Sequence, residues 1–225
     1  MLNLLKSNLI KIFSPQFCWW CFEARKNDYL CQEHLNKISL LLCPICHKRY
    51  PEIKIITSTC QNCRSKTFLD GLFVIFKLEE PLQKLIYGYK YDLYFQFGKT
   101  LAKLLEENLP LQFKDLIFVP IPSFEKKINE RGFNHIEYIL KNTSLKFKSY
   151  LKKIKNTLPQ AKLTNIIERQ KNVADCFALK QKPEEKILVL FDDIKTTGFT
   201  LNEAAKVLKQ NGVKKVFGLT LACKI

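Results

Sequence analysis

Two adjacent carboxylates, Asp192 and Asp193, close the apolar run Ile187-Leu-Val-Leu-Phe191, and Ile194-Lys195-Thr196-Thr197-Gly198-Phe199-Thr200 follows at once. The apolar run reads as a buried strand, the threonine- and glycine-rich stretch as a turn, and what comes next as the start of a helix. In such a turn the backbone N–H groups of residues 196–200 converge, and the helix start favours negative charge there. The hydroxyls of Thr196, Thr197 and Thr200 add donors, and Gly198 lets the backbone approach closely. The chemistry on offer is capture of a phosphate. The acid pair suits hydrogen bonds to two vicinal hydroxyls of a ribose, with Mg²⁺ nearby. The place is also right, because ligands of open α/β sheets sit at strand C-terminal ends. An acid pair after an apolar run also occurs in nucleotide triphosphatases. That alternative needs a G-x-x-x-x-G-K-[ST] loop, and none of the seven glycines fits one. A helix cap alone would explain Thr200 but not two carboxylates.

A second set of chemistry-bearing residues lies near the N-terminus. Seven of the nine cysteines fall between positions 18 and 63, as Cys18-x2-Cys21, Cys31-x2-His34, Cys43-x2-Cys46 and Cys60-x2-Cys63. A C-x2-C turn presents two thiolates as two corners of a tetrahedron, the geometry of structural Zn²⁺. One C-x-x-C could serve redox chemistry, but four knuckles in so short a span point to one or two structural zinc ions. Sequential pairing joins Cys18, Cys21, Cys31 and His34 around one metal and Cys43, Cys46, Cys60 and Cys63 around another. It is favoured over interleaved pairing because it closes shorter loops. His47 completes a formal haem-attachment motif after Cys46, which an unexported chain would not use. A module of about 60 residues buries too little apolar surface to fold alone, and metal supplies the missing free energy. Trp19 and Trp20 inside the first knuckle either pack against the rest of the chain or offer a stacking surface for single-stranded bases.

The elements that must position these groups follow from periodicity. Strands are expected at Leu72–Leu78, Leu116–Ile121, Ile187–Phe191 and Val216–Ala222. Helices are expected at Leu82–Tyr89, Phe95–Leu109, Asn134–Lys141 and Leu201–Gln210, the last stopped by Gly212. Alternation of strands and helices predicts an α/β domain with a parallel sheet covered on both faces. The cysteine pattern stops near position 66. The chain therefore divides into a zinc-binding module with an N-terminal amphipathic helix, residues 1–66, and an α/β domain, residues 67–225. Cys176 and Cys223 lie on apolar segments and read as core thiols.

Composition limits the alternatives. The 225 residues are 47% hydrophobic and 26% charged, which excludes a disordered or collagen-like chain. No apolar run reaches the ~18 residues of a membrane span. Lys6, Asn8 and Lys11 interrupt any signal-peptide core, so the chain is expected to be cytoplasmic with reduced thiols. The helix carrying Leu2, Leu5, Leu9 and Ile12 is read as packing surface rather than membrane contact. The net charge is +16, and residues 141–182 carry eleven basic side chains against Glu168 and Asp175. Such a field attracts the phosphates of nucleic acid or of a phosphorylated metabolite. Only five of the 37 basic residues are Arg, so lysine enrichment for solubility explains part of it.

Asp192-Asp193 followed by Thr196-Thr197-Gly198-x-Thr200 resembles the phosphoribosyl-pyrophosphate (PRPP) signature of type I phosphoribosyltransferases. Further segments narrow the resemblance to the ComF family of competence and amidophosphoribosyltransferase-like proteins. These are the knuckled N-terminus, Lys90-Tyr91, Val119-Pro120-Ile121-Pro122, Arg131-Gly132-Phe133-Asn134, and Gln160 with Arg169, Asn172 and Phe177. Two departures are His135, where the family usually has Gln, and His34, in a knuckle that often holds a second Cys.

The resemblance implies a type I phosphoribosyltransferase-like sheet and PRPP, with Mg²⁺, as ligand. Asp192 and Asp193 would contact the ribose, and the stretch Ile194 to Thr200 would hold the 5′-phosphate. Arg131 is implied near pyrophosphate, with Lys126 and Lys127 as further candidates. Residues from about 155 to 172 would form a hood over the sugar, from which Arg169 would neutralise pyrophosphate. Two functions are implied. One is DNA uptake in natural transformation, with single-stranded DNA and competence or helicase proteins as partners. The other is a metabolic phosphoribosyltransferase that releases pyrophosphate and has no nucleic-acid role.

Overall fold

The computed structural model describes residues 67–92, 94–158 and 165–223. The cysteine knuckles, the N-terminal helix, Trp19, Trp20 and Gln160 therefore lie outside the described residues, as do the expectations attached to them. Strand β1 (Gly71–Lys77) leads to helices α1 (Leu82–Tyr91) and α2 (Phe97–Glu107). Strand β2 (Ile117–Pro120) is followed by α3 (Glu125–Arg131) and α4 (His135–Lys141). Then come β3 (Leu151–Lys153), α5 (Ile166–Val173) and β4 (Phe177–Leu179). Strand β5 (Ile187–Lys195), α6 (Phe199–Gln210) and β6 (Lys215–Cys223) complete the chain.

Four strands form one parallel sheet in the order β1-β6-β5-β2. Burial of both faces explains the near-continuous apolar runs of β5 and β6. One face packs against α1, α2 and α4 through residues such as Ile86, Leu105, Ile136, Val189 and Phe191. The other packs against α6, Val173 of α5 and the antiparallel β3–β4 pair through Leu188, Leu190, Ala204, Leu208 and Tyr150. The expected α/β architecture is present, with all four expected strands and all four expected helices. Cys176 and Cys223 are buried thiols, and burial pushes Cys176 up to about 11. No helix among the described residues is long and apolar enough to cross a membrane.

Three differences matter for the site. The short elements α3, β3, β4 and α5 carry too little periodicity to be read from sequence. The main chain at Phe118 also bonds across the outer edge of β2. Its N–H donates to the Lys146 carbonyl at 2.9 Å, and Lys148 N–H donates back at 2.9 Å. Most consequentially, β5 does not stop at Phe191. It runs to Lys195, in register with β6 as far as Cys223, and so includes both aspartates.

Candidate functional site

Neighbouring strands β5 and β2 send their following helices to opposite faces of the sheet. Helix α6 covers the face with Leu188 and Leu190, and α4 covers the face with Val189 and Phe191. A crevice opens where such a switch occurs, at the C-terminal ends of the two strands. Two segments meet there, Asp192 to Thr200 at the end of β5 and Ser123 to His135 after β2, the latter carrying the sequence candidates Lys126, Lys127 and Arg131.

The Thr196–Gly198 bend follows β5 directly. Gly198 has φ +83° and caps α6, whose first helical bond runs from Asn202 N–H to the Gly198 carbonyl at 2.9 Å. A Cβ at Gly198 would meet only the Lys195 side chain, at 3.7 Å. The glycine is therefore required for its left-handed backbone rather than for close packing. Thr196, Thr197 and Thr200 are half-buried, and Phe199 packs on the α6 face. Ile194 packs on the opposite core, while Lys195 is buried.

Because β5 includes both aspartates, their side chains project to opposite faces. Asp192 alternates with Asp193 along the strand and is half-buried. Asp193 falls on the α1–α4 face and is 1% exposed. There Lys90 of α1 holds it, with Nζ 3.0 Å from each carboxylate oxygen. His135 Nε2 stands 3.5 Å from Asp193 Oδ2. Asp193 Oδ1 also accepts from Ile194 N–H at 2.8 Å, and Asp192 Oδ1 accepts from Asp193 N–H at 3.0 Å.

The electrostatics separate the two acids. Burial alone would raise Asp193, but the Lys90 ammonium and then His135 outweigh it and hold the carboxyl below its usual range. Asp192 is pushed up to about 7, by burial first and then by the Asp193 carboxylate. Lys90 is buried yet raised, because its two aspartates overcome desolvation. Burial chiefly, aided by Lys90 and Arg131, takes His135 down to about 4.

The Arg131-Gly132-Phe133-Asn134 segment proves to be a helix stop followed by a helix start. Gly132, at φ +78°, ends α3, and the Asn134 side chain accepts from Ile136 and Glu137 N–H to begin α4. Arg131 Nη1 lies 3.0 Å from His135 Nδ1, and Ser123 Oγ lies 3.3 Å from the same nitrogen. Tyr89 donates to the His135 carbonyl at 2.6 Å.

A cationic cluster stands beside the acids. Lys127 lies below the ordinary lysine range through burial and then through Lys153, Arg131 and Lys90. Lys153, on β3, is lowered by burial, with a further push from Lys90 and a counter-pull from Cys176 and Asp192. Lys127 Nζ also donates to the Thr157 carbonyl at 3.3 Å. Asn172 on α5 clasps Leu158 through two hydrogen bonds of 2.9 and 3.0 Å, which joins the two sides of the expected hood. Arg169 lies on α5, and its side chain is outside the described residues.

Sequence reading gave Lys90, His135 and Lys153 no site role of their own. Lys90 did carry a signal, since it follows Leu82 and Ile86 at four-residue steps and so sits on the buried face of α1. Lys153, in a three-residue strand, offered none.

No family model matches the chain. Similarity to individual proteins is extensive. The chain is 28% identical over 232 residues to "Competence protein F" of Haemophilus influenzae, covering 92% of this chain and 98% of that protein. It is 28% identical over 190 residues to "Competence protein ComFC" of Streptococcus pneumoniae, covering 83% and 82%. It is 24% identical over 224 residues to "DNA utilization protein YhgH" of Escherichia coli, covering 90% and 94%. The proteins this chain is similar to, across nearly its whole length and theirs, are thus bacterial proteins named for competence and DNA utilization.

Proposed function

We propose that the crevice binds PRPP through a type I phosphoribosyltransferase-like site. The observation that carries this is the pairing of a half-buried carboxylate, Asp192, with the threonine-rich turn at Gly198 on one strand end. The turn would take the 5′-phosphate and Asp192 the ribose hydroxyls. Lys127, Lys153 and Arg131 would face pyrophosphate, together with Arg169 from α5. Mg²⁺ bound with PRPP would neutralise part of the pyrophosphate charge. The test is calorimetric titration of the full chain with Mg²⁺–PRPP. Wild type should saturate, and Asp192→Asn should bind at least ~10-fold more weakly, the scale of losing a charge-assisted hydrogen bond. Equal affinity would remove the site. If the bound PRPP is also turned over, pyrophosphate release in the presence of a nitrogenous acceptor marks a metabolic transferase. The cationic cluster favours that reading, because it would stabilise a departing anion.

For biological role we propose DNA uptake, at the stage where single strands reach the cytoplasm, with competence or helicase proteins as partners. The support is similarity to proteins named for competence and the basic surface of residues 141–182. Lys152, Lys155, Lys180 and Lys182 in that stretch are exposed. Single-stranded DNA binding should then weaken steeply with salt, about 10-fold or more between 50 and 200 mM for several phosphate contacts. Absence of binding at low salt would refute the nucleic-acid role.

Zinc remains a proposal from the donor set alone: seven Cys and one His in four paired knuckles. Elemental analysis of the purified full chain should give one or two zinc per molecule. Chelation should destabilise residues 1–66 and leave the α/β domain folded. A metal-free preparation that is fully folded would refute it.

A further inference from the structure

The resemblance and the sequence treat Asp192 and Asp193 as one pair with one task, but the structure gives them different surroundings. Asp193 is 1% exposed, and both of its oxygens lie 3.0 Å from Lys90 Nζ. At that exposure the carboxylate is shut off from a sugar, although only Oδ1 accepts a hydrogen bond from Lys90 and Oδ2 has no hydrogen-bond partner among the described residues. Asp192 is half-buried, on the other face of the strand, and no lysine ammonium is within salt-bridge distance of it among the described contacts. Behind Asp193, His135 is 5% exposed and stands between two charged groups. Its Nδ1 is 3.0 Å from Arg131 Nη1, a group that can only donate. Nδ1 is therefore the acceptor, which places the imidazole proton on Nε2, the nitrogen 3.5 Å from Asp193 Oδ2. The ring accepts from Arg131 and turns its proton towards Asp193 Oδ2, but at 3.5 Å the two atoms make a charge contact and not a hydrogen bond.

We propose that Lys90 and His135 are positioning residues: Lys90 fixes Asp193 as a buried ionised anchor, His135 ties that anchor to Arg131, and Asp192 is left as the one acid of the pair that meets the ligand's diol. Three elements converge on this anchor, α1 through Lys90, α4 through His135 and β5 through Asp193. Its function is to set the distance between the strand end that carries the phosphate turn and the segment that carries Arg131. Lys90 and His135 touch no ligand in this arrangement. The division of labour rests on the PRPP reading, whereas the anchor itself does not.

The experiment uses the full chain and two independent readouts. In thermal melts, Lys90→Met and Asp193→Asn should each lower Tm by roughly 8–15 °C, because each strands a buried charge. The double variant should melt above either single one, since it removes both charges together. Additive losses would overturn the anchor. Should a single variant fail to fold, ¹⁵N spectra of the wild-type imidazole decide the same point. His135 should show the Nε2–H tautomer and should not titrate between pH 5 and 8; titration in that range would overturn it. For the second readout, Mg²⁺–PRPP is titrated into His135 variants. His135→Gln offers one acceptor and one donor, as the neutral ring does, and should bind within about 3-fold of wild type. His135→Leu offers neither and should lose about 10-fold. Equal affinities for the Gln and Leu variants would overturn the tie to Arg131. A wild type that does not bind PRPP at all would overturn the ligand reading and the role of Asp192 with it, leaving the melts and the imidazole spectra to judge the anchor.

Discussion

The Asp192→Asn protein is expected to melt higher than wild type at pH 8, in the same variant that loses affinity for PRPP. The sign follows from the direction of the shift. Burial and the Asp193 carboxylate push Asp192 up to about 7, well above the ordinary aspartate value of 3.8. A group raised in the folded state stabilises the fold while protonated, below its unfolded value near pH 4. That stabilisation is lost as pH rises through about 7. Wild type therefore carries a destabilising second carboxylate at pH 8, and asparagine removes it. Asp192 is half-buried, so solvent screening trims the gain to about 2 kcal/mol, a rise in Tm of roughly 4–8 °C. The Tm difference between variant and wild type should shrink towards pH 5, where wild type is itself protonated. Other titrating groups cancel in that difference. A variant that melts lower at pH 8, or whose advantage is constant from pH 5 to 8, would contradict the electrostatics described above. Stability withheld at the carboxylate proposed to meet the ligand is the expected signature of a functional site.

Gly98→Val is expected to lower Tm by roughly 5–12 °C, corresponding to about 2–3 kcal/mol of overpacking. A Cβ at Gly98 would lie 2.6 and 2.8 Å from the Tyr138 ring and 3.0 Å from Tyr89 Cε2. Tyr89 has no room to retreat. It is fully buried, packs at 5.8 Å from Phe133 and donates its hydroxyl to the His135 carbonyl. The strain should therefore reach α4 and the His135 ring, and PRPP affinity should fall although Gly98 is remote from the crevice. Circular dichroism melts and the same calorimetric titration check both effects. An unchanged Tm would mean that α2 and α4 can part at no cost. A lower Tm with unchanged affinity would mean that Tyr89 does not position His135.

The sequence was most legible where one residue type recurs at a period. The strands β1, β5 and β6 are apolar on both faces, and α1, α2 and α6 repeat apolar residues at helical spacing, so the parallel α/β sheet could be written down in advance. The turn at Gly198 was legible from residue type, threonines and a glycine directly after an acid pair. Close backbone approach is the reason the sequence suggests for that glycine, whereas the structure gives a left-handed φ with room for a Cβ. The elements α3, β3 and β4 were not legible, because they carry too little apolar periodicity and take their shape from what they pack against.

Residue type and local spacing determined by themselves that this chain folds as an α/β domain and that an acid pair and a threonine turn lie together at a strand end. Tertiary structure alone decided what surrounds each acid. Extending β5 by four residues, from Phe191 to Lys195, turns Asp192 and Asp193 to opposite faces of the sheet. Lys90 and His135 reach only one of those faces, from helices whose sequence positions lie 103 and 58 residues away from Asp193. Charge neutralisation across such separations is set by how layers stack, and no local pattern in the chain encodes it.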